Sequence, residues 1–252
     1  MDKFVNALTS NPVIFLLLNT ALYLFYALLV GLSALPSAWL IYRGLAKQSP
    51  LVLALCFGIG VFLFFITGLL VFAIVERLLT LGFKPGKYST SSLTFMRWLV
   101  YSGVHTLALS LILPFVIGSG FTKIYYKIIG VKLGKDVFIN TIGLHDPYLL
   151  TVGDNVIIGG KTDITCHTFE SGFLTLERIN IGSNVLIGAN CYIMPGVTVE
   201  DNCDIGANSL IRKNKVIAEK SVIMQMPAMH GKELAILMKK SKPSRNKEQI
   251  KN

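Results

Sequence analysis

The sequence predicts N-terminal transmembrane α-helices followed by a parallel β-helix built from hexapeptide repeats. Three observations predict it. First, the 252 residues are 52% apolar and only 15% charged, against about a quarter charged in an ordinary soluble domain. Second, the charges are unevenly placed. Residues 1–130 carry 9 Lys/Arg and 2 Asp/Glu, whereas 131–252 carry 15 and 12. Third, an aliphatic side chain recurs at every sixth position through much of the second half. This profile excludes a disordered chain, a disulfide-stapled peptide and a typical cytosolic enzyme.

The membrane domain is expected over 1–130. Residues 13–42 and 51–75 carry no charge, although Pro36 interrupts the first run. Residues 98–120 carry no formal charge but contain His105 and Pro114. About 20 apolar residues span a bilayer core, so helices are expected at about 13–42, 51–79 and 93–120. The small residues around Ser33, Ala34 and Ala38 resemble a signal-peptide cleavage site. The apolar run before them is too long for one, and Asp2 cancels Lys3, so the first helix reads as an anchor.

Arg77, Lys84, Lys87 and Arg97 face only Glu76 in segment 76–97, and Lys123, Lys127, Lys132 and Lys135 follow the third stretch. The positive-inside bias favours both regions on the cytoplasmic side of a plasma or inner membrane. That requires a third stretch that is re-entrant or interfacial, broken at Pro114 and Gly118. The alternative is three full spans with four basic residues outside. His105 at membrane depth reads as functional or as a helix-packing histidine.

The β-helix is expected over 131–228. From Ile181, steps of six reach Ile187, Ile193, Val199, Ile205, Ile211, Ile217 and Ile223. Four residues after the first seven of these stand Val185, Cys191, Val197, Cys203, Ser209, Lys215 and Ser221, small in all but one case. A period of six matches neither a helix nor an alternating strand. It marks a hexapeptide solenoid, in which three hexapeptides close one triangular coil around inward aliphatics. Asn155, Asn184, Asn202 and Asn208 suit turns of positive φ. The rhythm breaks twice. Ile139 to Val152 is one residue longer than two repeats, and Ile164 to Ile181 is one short of three. The two histidines within the solenoid, His145 and His167, sit at these breaks, where insertions collect on functional faces.

Residues 131–231 carry 8 basic and 10 acidic groups. That balance argues against nucleic acid as a partner, which needs cationic side chains facing phosphates. Residues 229–252 are expected to form a short helix, with Leu234, Leu237 and Met238 on one side, and a basic tail. That tail suits either an anionic membrane surface or solvent. Cys56, Cys166, Cys191 and Cys203 show no CxxC or metal spacing and fit a reducing compartment.

The repeats resemble those of the hexapeptide-repeat, left-handed β-helix acyltransferases. The resemblance rests on Ile193-Met194-Pro195-Gly196-Val197-Thr198-Val199, on Ile205-Gly206-Ala207-Asn208-Ser209-Leu210-Ile211, and on the exit at Met226-Pro227-Ala228. A longer likeness is to the membrane-embedded C-terminal modules of polylysine-type peptide synthetases. It runs from Phe121 to Gly134, through Leu150 to Asp154, to His167-Thr168-Phe169-Glu170. The family implies a trimer, acetyl-CoA or another acyl-CoA as cosubstrate in a groove between subunits, and a histidine general base. His167 best matches that base. Glu170 is expected to orient it, and His145 and Asp146 to bind the acceptor. By resemblance alone, Gly188, Ala189, Ala207 and Ser209 line the pantetheine groove. Two departures stand out: Val199-Glu200 lacks the repeat glycine, and Lys215 fills a small-residue position.

Imidazole has the acidity to take a proton near neutrality. A thiol nucleophile at Cys166 is disfavoured, because strand neighbours face opposite ways. The expected reaction is acyl transfer to a hydroxyl or amine of a small-molecule or lipid-linked, membrane-borne or envelope acceptor. Two rivals are a noncatalytic trimeric scaffold and a carbonic-anhydrase-like zinc enzyme. The latter needs three histidine ligands, and the second half has only His145, His167 and His230, with no close pair. No metal is expected.

Overall fold

A computed structural model describes residues 11–224. The expected solenoid exit, short helix and basic tail lie outside the described residues.

Helix α1 (Pro12–Leu45) begins where Asn11 caps it, its side chain accepting from Val13 N at 3.0 Å and Ile14 N at 3.3 Å. Pro12 at the first position needs no donor there. Helix α2 (Pro50–Thr80) returns beside it. Ser37 Oγ donates to the Gly60 carbonyl at 2.6 Å, tying the pair at a point where glycine lets the backbones approach. Helix α3 (Leu93–Leu111) is capped by Ser92, whose Oγ accepts from Phe95 N. It stops before Pro114, since the residue ahead of a proline disfavours the α conformation; a 3-10 turn, Leu113–Phe115, follows. The third helix is therefore shorter than expected from sequence. Among the described residues, three helical segments, Pro12–Leu45, Pro50–Thr80 and Leu93–Phe115, are long and apolar enough to cross a membrane. Helix α4 (Gly120–Ile129) buries Thr122, Tyr125, Tyr126 and Ile129, a stripe at helical spacing. Gly130 ends it at φ +114, where a side chain would be strained.

The second half is a three-sided left-handed parallel β-helix. One face stacks β2 (Lys132–Leu133), β5 (Leu150–Val152), β10 (Ile179–Ile181), β13 (Thr198–Val199) and β16 (Val216–Ile217). The second stacks β3 (Phe138–Ile139), β6 (Ile157–Ile158), β11 (Leu186–Ile187), β14 (Asp204–Ile205) and β17 (Val222–Ile223). The third stacks β4 (Leu144–His145), β7 (Asp163–Thr165), β12 (Tyr192–Ile193) and β15 (Leu210–Ile211). Ile181 pairs with Val199 and Val199 with Ile217, one coil apart each time. The period-six aliphatics thus fall three to a coil and fill the prism. Asn155, Asn184, Asn202 and Asn208 all sit at φ between +55 and +60. At one corner Asn155, Asn184 and Asn202 hydrogen-bond through their side-chain amides at 3.1 and 3.2 Å.

Both rhythm breaks fall at the same corner, where the chain leaves the third face. After β4, Asp146 enters the left-handed region at φ +53 and a 3-10 turn, Pro147–Leu149, follows. One coil on, the chain leaves the prism after β7 as an antiparallel hairpin, β8 (His167–Glu170) and β9 (Phe173–Leu176). Glu177 N donates to the Cys166 carbonyl at 2.8 Å and closes the coil beneath it. The interval from Ile164 to Ile181 is thus one repeat plus an excursion, not three repeats short of a residue. Strand β1 (Gly86–Ser89), from the α2–α3 connection, pairs antiparallel with β9. The prism meets α3 near its start and the turn beyond its end: Trp98 bonds to Asp146, and Gly118 N donates to the Ile139 carbonyl at 3.2 Å. It therefore lies alongside that helix.

Candidate active site

Register brings the two breaks together. Leu144 pairs with Ile164 and His145 with Thr165, so Asp146 underlies the start of the excursion. His167 Nδ1 hydrogen-bonds to Asp146 Oδ2. A carboxylate can only accept, so Nδ1 donates, and in the neutral ring the lone pair is then on Nε2. Asp146 is 2% exposed, and its other oxygen accepts from Trp98 Nε1 at 2.8 Å and Tyr148 OH at 3.1 Å. The His167 side chain is 28% exposed. Trp98 lies edge-on to the imidazole with centroids 5.0 Å apart, and Phe169 packs on the indole. Burial, then the Asp146 charge, push the Tyr148 hydroxyl far up, so it stays a proton donor. Burial also pushes the Cys166 thiol up, which disfavours a thiolate nucleophile.

Of the residues expected from sequence, the structure joins His167 to Asp146 rather than to Glu170. His167 and Glu170 are three apart on one strand and so point to opposite faces. Glu170 instead takes Lys213 Nζ on both oxygens, at 2.5 and 2.7 Å. Asp146 is buried with both oxygens engaged and offers nothing to an acceptor. His145 remains half-exposed, its Nε2 3.7 Å from Asp163 Oδ1. Burial, then the neighbouring His105, lower its basicity against the pull of Asp163. Ser209 is 3% exposed and donates to the Gly206 carbonyl at 2.6 Å, so it points into the prism and lines no groove. Gly188, Ala189 and Ala207 stand at the corner between the second and third faces, the alanines exposed. The third face separates them from His167. Trp98 and Tyr148 were not anticipated. The available signal for Trp98 was its spacing with Tyr101 and His105 along one helix face of an otherwise apolar run. Among the described residues, no group of three or more His, Cys, Asp or Glu side chains is placed to hold a metal ion.

Residues 178–213 match the family described as bacterial transferase hexapeptide (six repeats). Over 154 residues the chain is 29% identical to a delta-poly-L-ornithine synthetase of Acinetobacter baumannii, covering 61% of this chain and 11% of that protein. Over 92 residues it is 35% identical to the galactoside O-acetyltransferase of Escherichia coli, covering 33% of this chain and 45% of the relative. The chain thus spans from about a tenth to under half the length of these relatives. A solved maltose O-acetyltransferase from Clostridium difficile aligns with a TM-score of 0.41 at 20% identity, covering 58% of this chain and 90% of that one. The chain is similar to hexapeptide-repeat acyltransferases and, over a longer stretch, to a peptide-synthetase-type protein.

Proposed function

We propose that the protein is a membrane-anchored, acyl-CoA-dependent acyltransferase with His167 as general base. The observation that carries this reading is the Asp146–His167 pair, with Nδ1 held by a buried carboxylate and Nε2 left to accept a proton. An acceptor hydroxyl or amine loses its proton to Nε2 as it attacks the thioester carbonyl. The tetrahedral adduct then collapses, the carbon–sulfur bond breaks, and the thiolate recovers that proton. Asp146 fixes the tautomer and steadies the imidazolium, while His145 on the same edge faces the acceptor. The small side chains at Gly188, Ala189 and Ala207 leave room for a pantetheine arm. The name of the galactoside O-acetyltransferase relative supports acyl transfer, and a solved galactoside acetyltransferase in complex with coenzyme A supports the cosubstrate.

The acceptor is membrane-borne. A cavity of about 480 Å³ between α1, α2 and the first turns of α3 is lined by Phe15, Leu22, Leu79, Met96 and Leu99 among others. It shares the α3 wall with Trp98 and suits an apolar anchor. The prism lying beside α3 favours an interfacial third helix over a full span, with the prism cytoplasmic. The assembly is a homotrimer, as the family likeness implies.

The deciding experiment measures thiol release from acetyl-CoA by purified protein supplied with membrane lipid extract. His167→Ala is expected to lower the rate by about 10²- to 10⁴-fold. Equal rates, or none in either, would sink the proposal and favour a scaffold.

A further inference from the structure

Glu76 on α2 and His105 on α3 form a buried pair that takes no part in the chemistry above. Glu76 is 0% exposed. Its Oε1 accepts from Tyr125 OH at 2.5 Å, and its Oε2 lies 2.9 Å from His105 Nδ1. The opposite ring nitrogen, Nε2, lies 2.7 Å from the Leu144 carbonyl. A carbonyl can only accept, so Nε2 carries hydrogen. A neutral ring would then turn a bare Nδ1 toward carboxylate oxygen, so a second proton lies between Nδ1 and Oε2.

The carbonyl so held is an unusual one. Among the described residues β4 is the terminal strand of its sheet. Gly143 and His145 present their carbonyls to β7, accepting from Ile164 N at 2.7 Å and Cys166 N at 3.1 Å. Leu144, between them, points its carbonyl the other way, where no further rung stacks. His105 stands in for that rung. Two turns earlier on the same face of α3, about 10 Å along the axis, Trp98 holds Asp146. The helix therefore grips both sides of His145.

A neutral hydroxyl or amide would satisfy one edge carbonyl. A buried charge pair is a costly way to do so. What it adds is a short, directional, charge-assisted bond to a backbone whose second residue onward, Asp146, is held at φ +53. We propose that Glu76 and His105 are a positioning pair: by fixing the Leu144 carbonyl they fix Asp146, and through it the His167 imidazole. This rests on the reading of His167 as base.

The test uses the full chain in lipid nanodiscs, with His105→Leu and His105→Gln. A glutamine amide reaches Leu144 as Nε2 does. Two readouts are taken: steady-state transfer from acetyl-CoA, and peptide-resolved labelling of His167 by diethyl pyrocarbonate across pH. His105→Leu is expected to lower kcat about 10- to 100-fold with KM for acetyl-CoA held within about twofold. It should displace the His167 labelling midpoint in the same direction as Asp146→Asn. His105→Gln, which keeps a donor to Leu144 but not the charge, should recover only part of both. A wild-type labelling midpoint in folded His105→Leu, or no recovery in folded His105→Gln, overturns the proposal. If His105→Leu does not fold, Glu76→Gln carries the comparison: a displaced midpoint supports the pair and an unmoved one overturns it. Labelling needs no turnover, so an inactive wild type would remove the acyltransferase reading and leave the labelling to decide this one.

Discussion

Asp146 accepts from three donors, Trp98, Tyr148 and His167, while sitting in a backbone conformation that costs a non-glycine residue of order 1 kcal/mol. That conformation turns its carboxylate under the excursion. His145, next to it, responds to pH. Burial lowers its affinity for protons below the ordinary value of 6.5, so just below that pH the unfolded chain binds a proton that the folded chain refuses. Stability is therefore full above about 6.5 and falls as pH drops toward the lowered value. Thermal melts between about pH 8 and pH 5 should show this loss in wild type and a smaller one in His145→Gln; equal slopes would contradict it. At this scale the sequence was partly legible. His167 and His145 stood out because they interrupt a period. The carboxylate bonded to His167 did not, because Glu170 is near in sequence but on the opposite face of its strand, while Asp146 becomes a neighbour only when one coil stacks on the next.

The solenoid was the most legible element, since a period of six has one physical solution and each inward aliphatic reports its own burial. Ile187 sits fully buried between Ile158 and Ile205 on neighbouring coils. Ile187→Ala should destabilise the prism by about 2–5 kcal/mol, read as an earlier loss of the strand signal in circular dichroism on heating. A shift no larger than that of an exposed variant such as Val222→Ala would argue against close packing there. The hairpin β8–β9 was not legible as such. Its seventeen-residue interval nearly equals three repeats, and its Ser171-Gly172 turn, at φ +51 and +77, is marked by two small residues that a loop would also contain. Strand β1 was hidden for another reason: its partner lies in the other half of the chain.

On the scale of the whole molecule, the outward residues of the second face include Phe138, Ile157 and Leu186, exposed apolar side chains on three successive rungs before Asp204 interrupts them. A flat ladder of this kind suits contact between protomers. Light scattering of the detergent-solubilised protein should give a trimer, and Leu186→Glu should shift it toward monomer; a wild-type monomer would remove the expectation. How the two halves meet could not be read from either alone. Composition separated them near residue 130, yet Trp98, Gly118 and His105 bond across that boundary.

The pairing of β1 with β9 has a practical corollary. The outermost strand of the sheet that carries His167 is borrowed from the connection between two helices long and apolar enough to cross a membrane. A truncated, water-soluble version beginning after residue 130 would keep its coils but surrender that strand, along with Trp98 and the grip on Leu144. The candidate site cannot be lifted off the apolar helices as a cassette; both halves of the chain build it.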